Sequence, residues 1–294
     1  MDFTPDADHE AIRDGVRRVC ADFDDDYWRR CDQDHEFPWD FYRAMADGGW
    51  IGIAIPEAYG GGGRGITEAS IVVEEVAASG AAMNGASAIH LSIFGMGPVI
   101  HHGSDELRQR VLPAVATGDL HVAFGVTEPD AGTDTSRITT RATLSGDGTH
   151  YVVRGRKVWT TKAPLCDKVL LLVRTTPREQ GARPTDGMTL LLADLRRDGA
   201  LRPGVTIRPI AKAGRNAVVS CEVAYDDLTV AVTDRIGEEG EGFRYLLDGL
   251  NPERILIAAE ALGTGRAAMR RAVAYANERV VFDRPIGQNQ GIAF

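Results

Sequence analysis

The sequence predicts an α+β fold in which helices and strands occupy separate parts of the chain. Apolar residues recur at helical spacing up to about residue 118, short β-like runs follow to about 231, and helical spacing returns over 242–294. Because helices and strands do not alternate, the pattern argues against an alternating α/β protein. We therefore expect three domains, a helical one at 1–118, a β domain at 119–231 and a helical one at 232–294.

The first domain carries the signals of several amphipathic helices. Ile12, Val16 and Cys20 fall on one face of the first. Ser104 can cap another, because its hydroxyl can accept from the first turn and acidic residues follow it. The expected helices cover 11–20, a segment opened by Pro38, 67–79, about 83–100, and 105–116.

The second domain has the texture of a sandwich or barrel. Gly146-Asp147-Gly148-Thr149 separates the runs 141–144 and 151–154, which predicts a hairpin. The other expected strands are short and separated by turn residues, at 168–174, 188–193, 205–210 and 218–225. In the last domain, Asn251-Pro252 leaves two interpretations open: the start of a new helix or a kink in one long helix.

Composition narrows the class of protein. The chain has 42 acidic and 33 basic residues, and the basic ones are dispersed, so a phosphate-tracking nucleic-acid surface is not expected. The acidic start does not suggest a signal peptide, and no apolar run suggests a membrane span. Four cysteines without paired spacing indicate reduced thiols in the cytoplasm and no metal site. They are Cys20, Cys31, Cys166 and Cys221.

A glycine motif near the start matches a dinucleotide fingerprint literally. Gly60-x-Gly62-x-x-Gly65 follows an apolar run and precedes a helical pattern. No carboxylate lies about twenty residues further on, where a ribose hydroxyl would need one. A tight turn that requires positive φ is the better interpretation, and a nicotinamide enzyme the poorer one.

Three segments carry candidate chemistry. Residues 123–134 contain Pro129 and Gly132, which predicts an irregular connector with free backbone donors for a flat heterocycle, or else a plain linker. Strand alternation sends Trp159 and Thr161 to one face, where they can flank a ring and bond its edge; a core tryptophan beside a surface threonine is the alternative.

The third segment is helical. Tyr275, Arg279 and Phe282 share a face, and an arginine with aromatics suits a phosphate with its attached ring. A surface arginine beside buried aromatic residues would give the same pattern.

Taken in order, these segments resemble the acyl-CoA dehydrogenase family over nearly the whole chain. Any one motif is modest, but the ordered set is specific. The matching residues are Gly49-Trp50-Ile51-Gly52-Ile53, Pro56-Glu57, Tyr59-Gly60-Gly61, Thr127-Glu128-Pro129-x-Ala131-Gly132-x-Asp134, Lys157-x-Trp159-x-Thr161, Glu253-Arg254-Ile255, Tyr275-x-x-x-Arg279-x-x-Phe282 and Pro285-Ile286-Gly287-Gln288-Asn289-Gln290.

The resemblance implies a helical N-terminal domain, a middle β-barrel-like domain and a C-terminal helical bundle that is incomplete here. It implies FAD as cofactor and oxidation of an acyl-CoA thioester to the trans-2-enoyl-CoA, with hydride passing to the flavin. Electrons would leave to electron-transfer flavoprotein, and the chain would form a homodimer or homotetramer.

The resemblance also assigns residue roles. Flavin contacts fall to Phe124, Val126 and Thr127, with Trp159 beside the ring and Thr161 at its hydride-accepting nitrogen. An FAD held by a neighbouring subunit would meet Arg279, Phe282 and Gln290. The substrate side would include Thr133, near the CoA moiety, and Arg254.

Two departures from the family pattern affect these expectations. Asp283 stands where a glycine is common, close to the expected pyrophosphate. In most of the family the catalytic base is a glutamate further along than Phe294, whereas some members carry it on the helix with the Glu-Arg pair. Glu253 occupies that second position and is the candidate base here.

Two other classes stay open at this stage. A flavin monooxygenase or oxidase of the same fold would reoxidise rapidly in air without an electron acceptor. A shortened, non-catalytic relative would act as a binding subunit, and it would fold without flavin.

Overall fold

The computed structural model describes residues 4, 6–180 and 183–294. Everything described ahead of the first strand is helix, turn or irregular connection. Asp6 and Asp24 cap the first two helices with their carboxylates, and Ser104 caps the helix that ends this part, accepting from the Leu107 amide at 3.2 Å. The helices are α1 Ala7–Cys20, α2 Asp25–Asp34, α3 Trp39–Asp47, α4 Ile66–Val76, α5 Ala82–Phe94, α6 Gly97–His102 and α7 Asp105–Ala116.

Most of the predicted helices are confirmed, including the one after Pro38 and the one capped by Ser104. The single helix predicted over about 83–100 is wrong. The chain leaves the helix at Gly95, and α6 begins again with Pro98 in its first turn. A proline fits the first turn of a helix, where no amide donor is needed, and this favours a new start at α6. Helix α2 was not predicted.

The middle of the chain forms strands. They are β1 Val122–Gly125, β2 Arg141–Leu144, β3 His150–Thr161, β4 Lys168–Arg174, β5 Met188–Asp194, β6 Arg196–Arg197, β7 Ala200–Leu201, β8 Val205–Pro209, β9 Ser220–Ala231 and β10 Arg235–Ile236. Eight of them form a mixed sheet with the order β10-β5-β4-β2-β3-β9-β8, in which β1 pairs in parallel with β4. The predicted hairpin is confirmed as β2 and β3, and the other four predicted strands are present.

The barrel-like description is only loosely supported. Within the described residues the end strands β10 and β8 do not pair, so the sheet does not close. Its two halves meet edge to edge through a single residue pair, Arg141 and Arg174. With so little pairing the halves instead pack face to face, burying a cluster that includes Val153, Leu171 and Val223.

The last part of the chain is dominated by one helix. Helix α8, Gly242–Glu278, continues through Pro252, which settles the ambiguity at Asn251-Pro252 in favour of one long helix. The remaining elements are β11 Val280–Val281, β12 Arg284–Pro285 and α9 Gln290–Ala293. None of the described helices could span a bilayer; even α8, the longest, carries charged side chains in nearly every turn.

Helix α8 connects the helical part to the sheet. Near its start, Tyr245 and Leu246 pack into a cluster with α6, α7 and the sheet. Further on, Leu256 and Ala259 enter the core formed by α1 to α5. At Gly263 the helix crosses α4 so closely that a Cβ would lie 2.2 Å from the Glu74 carbonyl oxygen. The side of α8 between these contacts borders a cleft.

The glycine motif forms a turn and not a dinucleotide fingerprint. Gly60 has a φ of +80°, and a Cβ on Gly61 would lie 2.1 Å from the Ile55 carbonyl oxygen. The apolar run before it is not a strand, so no βαβ unit is present in this described segment. All four cysteines are buried and unpaired.

Candidate active site

A cavity of about 320 Å³ opens where the ends of β1 and β3 meet α5, α8 and the loop before β9. Its walls come from all three predicted domains. Six of the residues singled out from the sequence line it, namely Phe124, Val126, Thr127, Trp159, Thr161 and Glu253. We call this cavity the cleft.

The β side of the cleft begins where β1 ends. The connector predicted over 123–134 is a strand as far as Gly125, so that part of the expectation is wrong; irregular backbone begins at Val126. Beyond it, the Thr127 carbonyl accepts from the Val158 amide at 2.9 Å. No described residue accepts from the amides of Val126 or Thr127. The connector therefore presents free donors at the cleft.

A buried ion pair fixes this connector. Glu128 accepts from Lys157 Nζ at 2.8 Å, from the Thr139 amide at 2.7 Å and hydroxyl at 2.9 Å, and from the Thr140 amide at 3.0 Å. Lys157 also donates to the Val126 carbonyl at 3.0 Å. One pair of charges thus ties the connector to β3 and to the loop before β2. We call this pair the clamp.

The clamp is electrostatically closed. Burial alone would raise the pKa of Glu128, but the ammonium and the other donors outweigh burial and hold that pKa well below its usual range. Burial depresses the pKa of Lys157, and Glu128 opposes this. Removing one partner would leave an uncompensated buried charge.

Trp159 lies where the regular pairing of strand β3 is interrupted. The pairing of β3 with β9 shifts between Lys157 and Thr160, and Trp159 adopts a φ of +61° inside that irregularity. Bulky residues rarely adopt this conformation, which costs about 1–3 kcal/mol unless the surroundings impose it. The indole is 55% exposed, so it is not a core tryptophan. Trp159 lines the cleft, where an exposed indole can stack on a ring.

On the helical side, α8 contributes a carboxylate. Glu253 is half-buried, and burial raises its pKa, opposed by His90 and Arg254 and reinforced by Glu260. A carboxylate with a raised pKa in a cleft is suited to accepting a proton near neutral pH. Arg254, its neighbour, turns outward and donates to the Asn251 side chain at 2.5 Å.

Sequence reasoning missed three polar residues here. His90 lines the cleft and its Nδ1 lies 2.7 Å from Glu260, which is fully buried. Arg215 also lines the cleft, on the loop before β9. His90 sits in the largely buried helix α5, Glu260 in the long helix α8 and Arg215 in a polar loop, so none of the three has a sequence signal that marks it.

The other predicted site residues lie outside the cleft. Thr133 is exposed near the end of the connector. Arg279, Phe282 and Gln290 lie past α8, where Phe282 is 94% exposed at the tip of the β11–β12 hairpin. Phe282 and Asp283 have φ of +53° and +59°, the two positive values of a type I′ turn. Asp283 suits that position, which accounts for aspartate in place of the family's glycine.

Together, these features describe a flavoprotein oxidoreductase: a cleft with a projecting indole, free backbone donors and an acid of raised pKa on the facing helix. The comparisons with known proteins specify the family. The acyl-CoA dehydrogenase N-terminal domain matches residues 6–119, the middle domain 123–228 and the C-terminal domain 240–294. The chain belongs to the acyl-CoA dehydrogenase family, and FAD is the cofactor.

Similar proteins include acyl-CoA dehydrogenase FadE12 of Mycobacterium tuberculosis, 34% identical over 298 residues that cover 99% of this chain and 72% of the relative. Among solved structures, a glutaryl-coenzyme A dehydrogenase with glutaryl-CoA superposes with a TM-score of 0.91 at 28% identity, covering 100% and 73% of the two chains. A structure titled for the electron transferring flavoprotein of Acidaminococcus fermentans gives 0.90 at 29% identity, covering 100% and 74%.

The cleft fits the cofactor that the family uses. An isoalloxazine ring needs a flat apolar surface and donors at its polar edge, and the exposed Trp159 indole with the free amides of Val126 and Thr127 offers both. The Thr161 hydroxyl lies on the same wall.

Proposed function

We propose that this chain oxidises an acyl-CoA thioester between its α- and β-carbons, yielding the trans-2-enoyl-CoA. The observation that carries the proposal is the cleft itself, in which Trp159, Thr161 and the free amides at 126–127 face Glu253 across one cavity. When bound, FAD supplies a two-electron acceptor for the hydride that leaves the β-carbon. All other steps fall to residues of the chain.

Glu253 is the proposed base for the α-proton. Its carboxylate lines the cleft, and its raised pKa lets it hold the proton after transfer. Trp159, Val126 and Thr127 orient the ring so that the substrate lies between ring and base. The clamp excludes water from beneath the connector, because Lys157 is completely buried and its ammonium group donates to the Val126 carbonyl and to Glu128.

A basic cavity supports a CoA ester as substrate. It holds about 590 Å³ and is lined by Arg137, Arg141 and Arg178 and by one carboxylate, that of Glu179. The three arginines are exposed and form no ion pair among the described residues. The short helix Thr135–Arg137 borders both cavities, because Thr135 lines the cleft and Arg137 lines this one. Guanidinium groups suit the phosphates of CoA.

The proposed partners are further copies of this chain and an electron acceptor. Leu262, Met269 and Val273 form an exposed apolar stripe on α8, which supports assembly into a homodimer or homotetramer. Arg279, Phe282 and Gln290 would then contact FAD held by a neighbouring subunit, and Thr133 and Arg254 would face the CoA ester. Electron-transfer flavoprotein is the proposed acceptor, and the domain limits 1–118, 119–231 and 232–294 are retained.

The test is an absorbance spectrum of the purified protein before and after anaerobic addition of mixed acyl-CoAs. We expect flavin absorbance that bleaches, and loss of bleaching in Glu253→Gln but not in the exposed control Glu36→Gln. A spectrum that does not change with any acyl-CoA would refute the dehydrogenase. Rapid reoxidation in air without an added acceptor would favour an oxidase.

A further inference from the structure

Arg215 is a cation in the cleft without an anionic partner. Its Nη1 donates to the Ser87 hydroxyl at 3.1 Å and its Nη2 to the Ser220 hydroxyl at 3.0 Å. No carboxylate of a described residue lies within ion-pair distance, and Glu260 acts on it only from further away. Neutral hydroxyls orient a guanidinium but leave its charge uncompensated, which is unfavourable in a half-buried position.

The protein fixes Arg215 in place despite backbone strain. The residue has a φ of +60°, which a non-glycine residue adopts only when its surroundings require it. Lys212 donates to the Arg215 carbonyl at 2.8 Å and to the Val218 carbonyl at 2.7 Å, and the Asn216 amide donates to Asp32 at 2.6 Å. The loop is held on both sides of the arginine, so the guanidinium is oriented before any ligand arrives.

A second polar group faces the same space. Glu260 bonds to Nδ1 of His90, and the other ring nitrogen, Nε2, has no hydrogen-bond partner among the described residues. The second oxygen of Glu260 is buried and also unpartnered. An aliphatic acyl chain would gain nothing from these groups and would bury them without compensation.

We propose that the acyl group of the substrate ends in a carboxylate, and that Arg215 is the residue that receives it. This deepens the proposed function and rests on it, because it takes the cleft to hold the acyl chain. The guanidinium provides the fork geometry that carboxylates prefer. His90, whose Nδ1 is held by Glu260, lines the same cavity and adds a second polar side chain to it. The carboxylate end lies away from Glu253, since two carboxylates repel.

The test compares acyl-CoAs of equal carbon count that differ in the terminal group: adipoyl-CoA with hexanoyl-CoA, and glutaryl-CoA with pentanoyl-CoA. Binding is measured by calorimetry and reduction by anaerobic bleaching of the flavin. We expect the parent protein to favour the carboxylated ester at least tenfold in affinity or kcat/KM in one pair or both. Arg215→Gln should lower that ratio at least tenfold, and Arg215→Lys should retain part of it.

Arg208→Gln, an exposed arginine on β8, is the matched control and should leave the ratio unchanged. The proposal is overturned by a parent that prefers the uncharged esters, or by an Arg215→Gln protein that weakens both esters equally, which would make Arg215 a structural tether. Loss of bound flavin with an unchanged ratio would instead assign the anion to a cofactor phosphate. If uncharged esters bleach the flavin well, the proposed function stands while this inference fails; if no ester binds, both fail.

Discussion

The buried carboxylate of Glu128, on the β side of the cleft, meets four hydrogen-bond donors, whereas that of Glu260, on the helical side, meets one. The clamp is complete within the chain. Among the described residues, Arg215 has no carboxylate partner, and His90 and Glu260 each keep one polar atom without a hydrogen bond.

The contrast shows two uses of buried charge. The clamp is a buried ion pair in which both charges have hydrogen-bond partners, and it fixes the backbone conformation of the connector that presents Val126 and Thr127. Charges without partners persist where a ligand completes them, at a cost in stability. We therefore expect neutralising substitutions to have opposite effects on the two sides, which the following predictions test.

The largest expected effect comes from breaking the clamp. Lys157→Met removes the cation and leaves Glu128 buried, so the free energy of unfolding should fall by about 3–5 kcal/mol. Chemical denaturation at pH 7 measures it. The control is Arg154→Met on the same strand, which breaks the exposed pair with Asp227 and should leave the stability nearly unchanged, because solvent screens that pair. Equal losses in the two variants would show that the clamp does not stabilise the fold.

The clamp also predicts a pH dependence. The folded-state pKa of Glu128 is held at about 2, below the ordinary value of 4.5, so its contribution is complete above pH 4.5 and is lost as the pH falls towards 2. The difference in unfolding free energy between the parent and Lys157→Met should therefore shrink over that window. A difference that stays constant down to pH 2 would contradict the assignment.

The next largest effect concerns the close packing of α8 against α4. Gly263→Ala places a Cβ against the Glu74 carbonyl at the α4–α8 crossing, and overpacking of this kind costs about 1–3 kcal/mol. Gly265→Ala in the same helix meets nothing within 4 Å and should stabilise by about 0.5–1 kcal/mol. Thermal unfolding of both variants distinguishes a required glycine from a dispensable one. Two variants of equal stability would mean that α8 can move away from α4.

A smaller effect is expected at Trp159. Because the indole is half exposed, Trp159→Ala should change the stability of the apoprotein by less than about 1 kcal/mol. It should still weaken flavin binding about tenfold, the equivalent of about 1.4 kcal/mol of stacking. Flavin content per protein after dialysis measures this. Unchanged flavin content would show that the indole does not contact the ring.

More of the β side of the cleft than of its helical side could be predicted from the sequence. Trp159 and Thr161 were found because strand alternation relates positions close to one another along the chain, whereas Thr127 was found through the resemblance to the family. The bulge at Trp159 was not predictable, since it depends on the register of β3 against β9. Glu128 and Lys157 were recognised only as parts of the family motifs. Their ion pair was not predicted, because the two residues are 29 positions apart in the chain and meet only in the fold.

The helical side depends still more on distant contacts. His90 and Glu260 are 170 residues apart, and Arg215 meets Ser87 across 128. In sequence, each is an isolated polar residue in an unremarkable segment. The passage of α8 over α5 brings Glu260 to His90, and the loop before β9 brings Arg215 to Ser87 of α5. Barrel closure was overestimated for a related reason: regular strand spacing does not reveal that β2 and β4 share only one residue pair.

The smallest expected effect has the opposite sign. The folded-state pKa of Glu253 is raised by burial, so its ionisation opposes folding once the pH exceeds the ordinary value of 4.5. Glu253→Gln should therefore raise the unfolding free energy at pH 8 by less than about 1 kcal/mol, and the gain should be smaller at pH 5. Denaturant titrations at the two pH values measure it, with the exposed Glu36→Gln as control. A loss of stability in Glu253→Gln would mean that this carboxylate is a structural group like Glu128, and the contrast between the two sides of the cleft would not extend to α8.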